Sequence, residues 1–182
     1  MPAINGLETE RLLDIVESVK QNWETGKTVW TASARWLDGF RVETESRGFM
    51  LRADEPDMLA GTNTAANPVE LVLQAYGACL AIGYAMNAAV RGIRIHDLRI
   101  DVEGEIDLPG FLGLEPPESV HMDRLPGYKH VIARVKIKAD ADGKTLKELH
   151  DHVVRTSPVG VTISRPVKIE TEFEAVQERS AA

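Results

Sequence analysis

The residues best suited to chemistry lie in one stretch, "NPVELVLQAYGACLAIGYAMNAAVRG", running from Asn67 to Gly92 and carrying the only cysteine of the chain, Cys79. Two readings of that thiol compete. Free cysteine is among the most buried residue types and often packs as a small hydrophobe. A reactive cysteine needs access and a neighbour that favours the thiolate. A position in the middle of a helix gains nothing from the helix's positive end, so activation of Cys79 requires a cation from another segment.

The histidines offer less. His150 and His152 in "LHDHV" stand two apart on a helical pattern and point in different directions, and no third ligand accompanies them. They read as part of a solvated helix face. His96, His121 and His130 occur singly on strands or loops. No serine–histidine–acid spacing and no glycine-rich phosphate loop is present, so neither a metal nor a cofactor is expected. Tyr76, one turn before Cys79, either lines a pocket at the thiol or packs in the core.

Elements must hold these groups in place. "ETERLLDIVESVKQNW" spaces Leu12, Leu13, Ile15, Val16 and Val19 as an amphipathic helix that ends near Gly26. "TVWTASARW" and "FRVETES" read as strands around a tight turn at "LDG", and "GFMLRAD" as a third strand. "IRIHDLRIDVEGEID" and "HVIARVKIKAD" alternate as longer strands with one wet face. Between them "LPGFLGLEPPESVHMDRLPGY" is rich in proline and glycine, and forms a loop or ordered insertion. Its Phe111, Leu112, Leu114, Met122 and Tyr128 either cover a pocket or anchor the loop, and we lean to anchoring. "GKTLKELHDHVVRTS" places Leu146, Leu149 and Val153 on one side of a helix, and "RPVKIETEFEAV" reads as a closing strand. The order predicts an α+β fold with mainly antiparallel pairing.

The stretch from Leu71 to Val90 would span about 30 Å as a helix, enough to cross a bilayer. Its many alanines, with Gln74, Asn87, Gly77 and Gly83, argue for a core helix instead. Asn67, Pro68 and Glu70 form a helix start and Gly92 a stop. A helix apolar on every side must be covered on every side. The small residues Ala75, Gly77, Ala78, Ala81, Gly83 and Ala85 permit close approach, either by the second helix or by its equivalent in another subunit, and a homodimer is favoured.

The chain has 182 residues and a formal net charge of −7. That charge, with scattered basic residues, argues against nucleic-acid and anionic-membrane partners. No secretory signal is visible and one cysteine forms no intrachain disulfide, so a cytoplasmic location is the expectation. Residues 1–26 read as a helical extension, 27–176 as the main domain and 177–182 as a tail.

"NPVELVLQAYGACL", with "RWLDGFRVE…DEP" before it and "RGIRIHDLRIDVEGEIDLPGFLGL", "LPGYKHVIARVKIKAD" and "SPV…RPVKIE" after it, resembles the signature of the OsmC/Ohr superfamily from about Thr28 to Glu174. The resemblance implies an OsmC-like fold: an intertwined homodimer with antiparallel sheets, long central helices and a thiol in a pocket near the subunit interface. It also implies thiol-dependent reduction of organic hydroperoxides. Cys79 falls on the peroxidatic position and Ser157, in "RTSPV", on that of the resolving cysteine. A serine makes no disulfide, so an external thiol would have to complete the cycle. The family's arginine falls on the early hairpin, where Arg35 and Arg41 both qualify. Its glutamate commonly follows the proline directly; here Val69 stands there and Glu70 is one step on, rotated by about 100°.

Two functions follow as expectations. One is a single-cysteine organic hydroperoxide reductase using Cys79, with Arg41, Glu70 and Ser157 around it. The alternative is a non-catalytic dimer of the same fold that binds a small apolar ligand.

Overall fold

The structure, a computed structural model, describes residues 3–114 and 126–176. In chain order it contains helix α1 (Thr9–Gln21), strands β1 (Ser33–Asp38), β2 (Arg41–Ser46) and β3 (Phe49–Ala53), and the long helix α2 (Pro68–Val90). Then follow β4 (Ile95–Ile106), the short α3 (Leu108–Phe111), β5 (Tyr128–Ala139), α4 (Gly143–Thr156) and α5 (Pro158–Ser164). The fold is α+β with antiparallel pairing throughout: β1–β2–β3 form one sheet and β4–β5 another.

Local sequence explains α2 at both ends. The Asn67 side chain accepts the Glu70 N–H at 2.9 Å, and the Glu70 carboxylate accepts the Asn67 N–H at 2.9 Å. This reciprocal cap, with Pro68 in the first turn, satisfies donors that a helix start leaves open. At the other end Gly92 takes φ +71°, a left-handed conformation that costs glycine little. There the Gly92 N–H reaches the Ala89 carbonyl at 3.0 Å and the Ile93 N–H the Ala88 carbonyl at 2.9 Å, closing the helix.

Leu80, Tyr84, Ala88, Ile93, Leu149 and Val153 form the buried core where α2 meets α4 and the β4–β5 pair. The two mid-helix glycines explain the close packing. A Cβ on Gly77 would lie 3.3 Å from Val102 of β4, and one on Gly83 would lie 3.0 Å from Val153 of α4. The side chains expected to face inward from α4 do so: Leu149 and Val153 are buried and Leu146 packs against them.

Other apolar faces remain open within one chain. The register of the first sheet places Ala34, Trp36, Val42, Phe49, Leu51 and Ala53 on one face, and Arg35, Glu43 and Arg52 across from one another on the opposite face. Trp36, Phe49 and Leu51 are exposed. On α2, Ala75, Ala78, Ile82, Met86 and Val90 follow helical spacing and are all exposed. Among the described residues, the helix expected to be covered on every side is therefore covered in part, by β4, α4, α5 and, less extensively, α1. In α1, Leu13, Ile15 and Val16 are exposed, while Asn5 ties the segment before it to Ile93 and Ile95 at 3.0 and 2.8 Å.

Two sequence expectations change. Residues 165–176 form no strand, because among the described residues no strand is placed to pair with them, and Val167, Ile169 and Phe173 stand exposed. The segment after Ser157 is instead helical at its start, giving α5, whose Ser-Pro opening repeats the Asn-Pro opening of α2. Within the proline-rich loop, Tyr128 does anchor: its hydroxyl donates to the Val69 carbonyl at 2.8 Å. Phe111, Leu112 and Leu114 are exposed. His121, Met122 and the 177–182 tail lie outside the described residues.

The loop from β3 into α2 is built around Asp54. This buried carboxylate accepts from the Thr62 hydroxyl at 2.5 Å, the Thr64 N–H at 3.1 Å and hydroxyl at 2.8 Å, and the Glu55 N–H at 2.9 Å. The Thr62 hydroxyl first, then the Thr64 N–H, hold Asp54 well below the usual carboxylate range despite burial. Gly61 is required in the same loop, since a Cβ there would sit 1.8 Å from the Glu55 carbonyl oxygen. A carboxyl depressed on folding contributes stability that is fully present above its unfolded value of about 3.9 and is lost as pH falls toward the folded value. Asp54→Asn should therefore lower the denaturation midpoint at pH 7 and flatten its decline below pH ~4. Midpoints measured at both pH values should converge between the two proteins in acid; parallel curves would refute this role.

Candidate thiol site

Cys79 sits halfway along α2, on the side that meets α5, and is half-buried. Opposite it, Ser157 both ends α4 and caps α5. Ser157 is buried, with 4% of its surface exposed, and its Oγ lies 3.2 Å from Cys79 Sγ. The Gly160 N–H donates to the same Oγ at 3.1 Å, which pins the hydroxyl against the thiol. Seventy-eight positions apart in sequence, the two residues are in contact because α4 packs back along α2 through Gly83 and Val153.

Tyr76 completes this corner. Its ring lies against Gly160, where a Cβ would approach Cε2 to 2.9 Å, so only glycine lets the ring lie there undisturbed. Burial, and then the neighbouring Cys79, push the Tyr76 phenol above its ordinary value. Tyr76 fills both roles open to it, packing against the core cluster and lining a pocket. It walls a cleft of about 480 Å³ with Val72, Val131 and Ile163, with Lys129 and His130 on the β5 side. Tyr76 and Gly160 thus belong both to the cleft and to the surroundings of the thiol. Gly160 is the residue that sequence reasoning missed, and the Ser-Pro helix start was the signal for it.

The remaining candidates are not brought to Cys79 within the chain. Glu70 is engaged in the α2 cap, nine residues before Cys79 and so about 13 Å away along the helix axis. Arg41 pairs with Asp38 across the β1–β2 turn, Nε to Oδ1 at 2.7 Å, and holds the Asp38 carboxyl below its usual range. Arg35 Nη2 lies 3.4 Å from Glu43. Both arginines lie on the sheet whose apolar face is open.

The histidines depart from a simple solvated face. His150 is half-buried and its Nδ1 meets the hydroxyl of buried Tyr84, whose phenol burial pushes up to about 12. His150 follows Leu149 in sequence and lies one turn before Val153, at the edge of the core. Burial, then Arg91 and Arg155, push His152 below its ordinary value. His96 Nε2 lies 2.5 Å from Asp140. Among the described residues, no group of histidine, cysteine and acidic side chains is arranged to hold a metal.

The geometry predicts a covalent consequence. In Ser157→Cys the new sulfur would replace an oxygen 3.2 Å from Cys79 Sγ, and a small side-chain adjustment reaches the disulfide length of about 2.05 Å. Mild oxidation of that variant should give an intrachain disulfide, read by intact mass and loss of free thiol. Two persistently free thiols would show that the contact does not hold in solution.

A sequence model described as OsmC-like protein matches residues 61–172, from the Asp54 loop to the extended C-terminal segment. No curated protein matches the chain. Among solved structures, an OsmC-like protein from Mycoplasma pneumoniae is similar with a TM-score of 0.62 at 18% identity, over 76% of this chain and 89% of that one. An organic hydroperoxide resistance protein OsmC from Legionella pneumophila gives 0.54 at 22%, over 75% and 89%. An OsmC-like protein of unknown function from Vibrio cholerae gives 0.60 at 10%, over 75% and 94%. At these identities the structural likeness speaks for the fold, and the sequence match covers more than half of the chain: it belongs to the OsmC-like protein family.

Proposed function

We propose that the chain is a one-cysteine, thiol-dependent peroxidase that reduces organic hydroperoxides as a homodimer. The observation that carries this reading is the contact of Cys79 with Ser157: the family's peroxidatic and resolving positions meet at 3.2 Å beside an open, partly apolar cleft. The family supports it, as does the name of the similar Legionella pneumophila structure.

The chemistry follows from the residues. The Cys79 thiolate attacks the terminal oxygen of a hydroperoxide ROOH and the O–O bond breaks. Sulfur is oxidised to the sulfenic acid, and the alkoxide leaves and takes a proton to give ROH. Ser157 has no thiol with which to condense, so an external thiol attacks Cys79–SOH. Water leaves, a mixed disulfide forms, and a second thiol returns Cys79 to its reduced form. Apolar walls at Val72, Tyr76 and Ile163 suit the organic part of the substrate.

The open apolar faces support the homodimer. The Trp36–Phe49–Leu51 face, the Ile82–Met86–Val90 stripe and the unpaired 165–176 segment are each left uncovered by their own chain. A second copy would supply strands to pair, faces to cover and a route for Arg35 or Arg41 to reach the partner's thiol. A second reading, a non-catalytic dimer binding a small apolar ligand, is favoured by one observation: among the described residues no hydrogen bond or ion pair brings an arginine to Cys79, and Glu70 is spent on the helix cap.

Reduced protein mixed with an organic hydroperoxide and a dimedone-type trap should give a rapid adduct on Cys79 by intact mass, absent in Cys79→Ser. Trapping no faster than that of a free thiol would overturn the peroxidase in favour of the binding scaffold. By sedimentation the wild type should run as a dimer of its 20.1 kDa chain, and Ile82→Glu on the open stripe should dissociate it. A monomeric wild type would remove the dimer from the proposal.

A further inference from the structure

We propose that the Ser157 hydroxyl is a catalytic group in its own right, the hydrogen-bond donor that stabilises the Cys79 thiolate. This rests on the peroxidase reading for its biological meaning, but not for its geometry. Oγ lies 3.2 Å from the reacting sulfur. One of its acceptor positions is filled by the Gly160 N–H at 3.1 Å, and among the described residues Cys79 Sγ is its only other partner. With Cys79 as a thiol either side chain can donate. Once sulfur is ionised it only accepts, so the bond survives solely as serine O–H to thiolate.

Such a bond favours the charged form of the acceptor. Its strength is helped by position. Ser157 is 4% exposed, so water competes little for the hydroxyl, and Gly160 holds Oγ in place before ionisation, so little rearrangement is needed. At the position where the resemblance implies a disulfide partner, the serine therefore gives the thiol a neutral donor in direct contact. The bland alternative is that Ser157 merely caps α5. A cap contributes to stability, but it does not distinguish thiol from thiolate.

The test is the rate at which iodoacetamide alkylates Cys79 in the intact protein, followed from pH 5 to 10. In Ser157→Ala the rate should fall roughly two- to fourfold at neutral pH and meet or exceed the wild-type rate at high pH, where both sulfurs are ionised and the serine bond no longer tempers the nucleophile. Ser157→Thr, which keeps the hydroxyl, should restore most of the neutral-pH rate. Should alanine weaken folding through the lost cap, Ser157→Gly removes the hydroxyl at little cost to a helix start. Identical profiles, a uniform slowing at every pH, or a threonine variant that behaves like alanine would each overturn the proposal. Alkylation consumes no peroxide, so failure of peroxide turnover and failure of this inference are read separately.

Discussion

One constraint organises this protein: α2 has too much apolar surface to be left in water, and its own chain covers only part of it. A helix without a polar face needs neighbours around its circumference. Here β4 lies against the Gly77 side, α4 against the Gly83 side and α5 against the Tyr76–Cys79 side. Small residues set how near each neighbour comes. The remaining stripe from Ala75 to Val90 faces outward, and so do Trp36, Phe49 and Leu51 on the apolar face of the β1–β3 sheet. Both surfaces are apolar and both are left open by the same chain.

Packing around α2 also makes the thiol site. α4 is held against α2 by Leu149 and Val153, and it ends where Ser157 faces Cys79. The chain then turns at Ser157-Pro158 into α5, whose first turn brings Gly160 back to the serine and up against Tyr76. Each of these contacts serves structure and site at once. A serine can be a cap and a donor to sulfur; a glycine can free a backbone N–H and make room for an aromatic wall.

Much of the fold was legible before any coordinates. The bounds of α2 were written in Asn67, Pro68, Glu70 and Gly92, each acting through local hydrogen bonding or backbone preference. Period-two alternation marked β4 and β5, and helical spacing marked α4. The failures have equally specific causes. Residues 165–176 alternate like a strand, but a strand exists only with a partner, and alternation does not say whether that partner is in the same chain. α5 escaped because a seven-residue helix shows too little periodicity, although its Ser-Pro start matched the rule already applied to α2. His150 read as solvated because its contact with Tyr84 depends on how α4 is rotated against α2.

By itself, the sequence determined what acts within a few residues: the caps, the strand and helix periods, and a lone thiol in the middle of a helix whose one charged residue, Glu70, lies in its first turn. These are consequences of backbone hydrogen bonding and side-chain spacing, and need no knowledge of distant contacts. Only the tertiary structure decided that Cys79 and Ser157 touch, that Tyr76 and Gly160 form the adjoining wall, and that Glu70 turns to its own helix cap while Arg35 and Arg41 pair on another sheet. Contacts between residues far apart in the chain depend on how elements rotate and approach. That is set by the sum of many small packing interactions around α2 and cannot be read from any one motif.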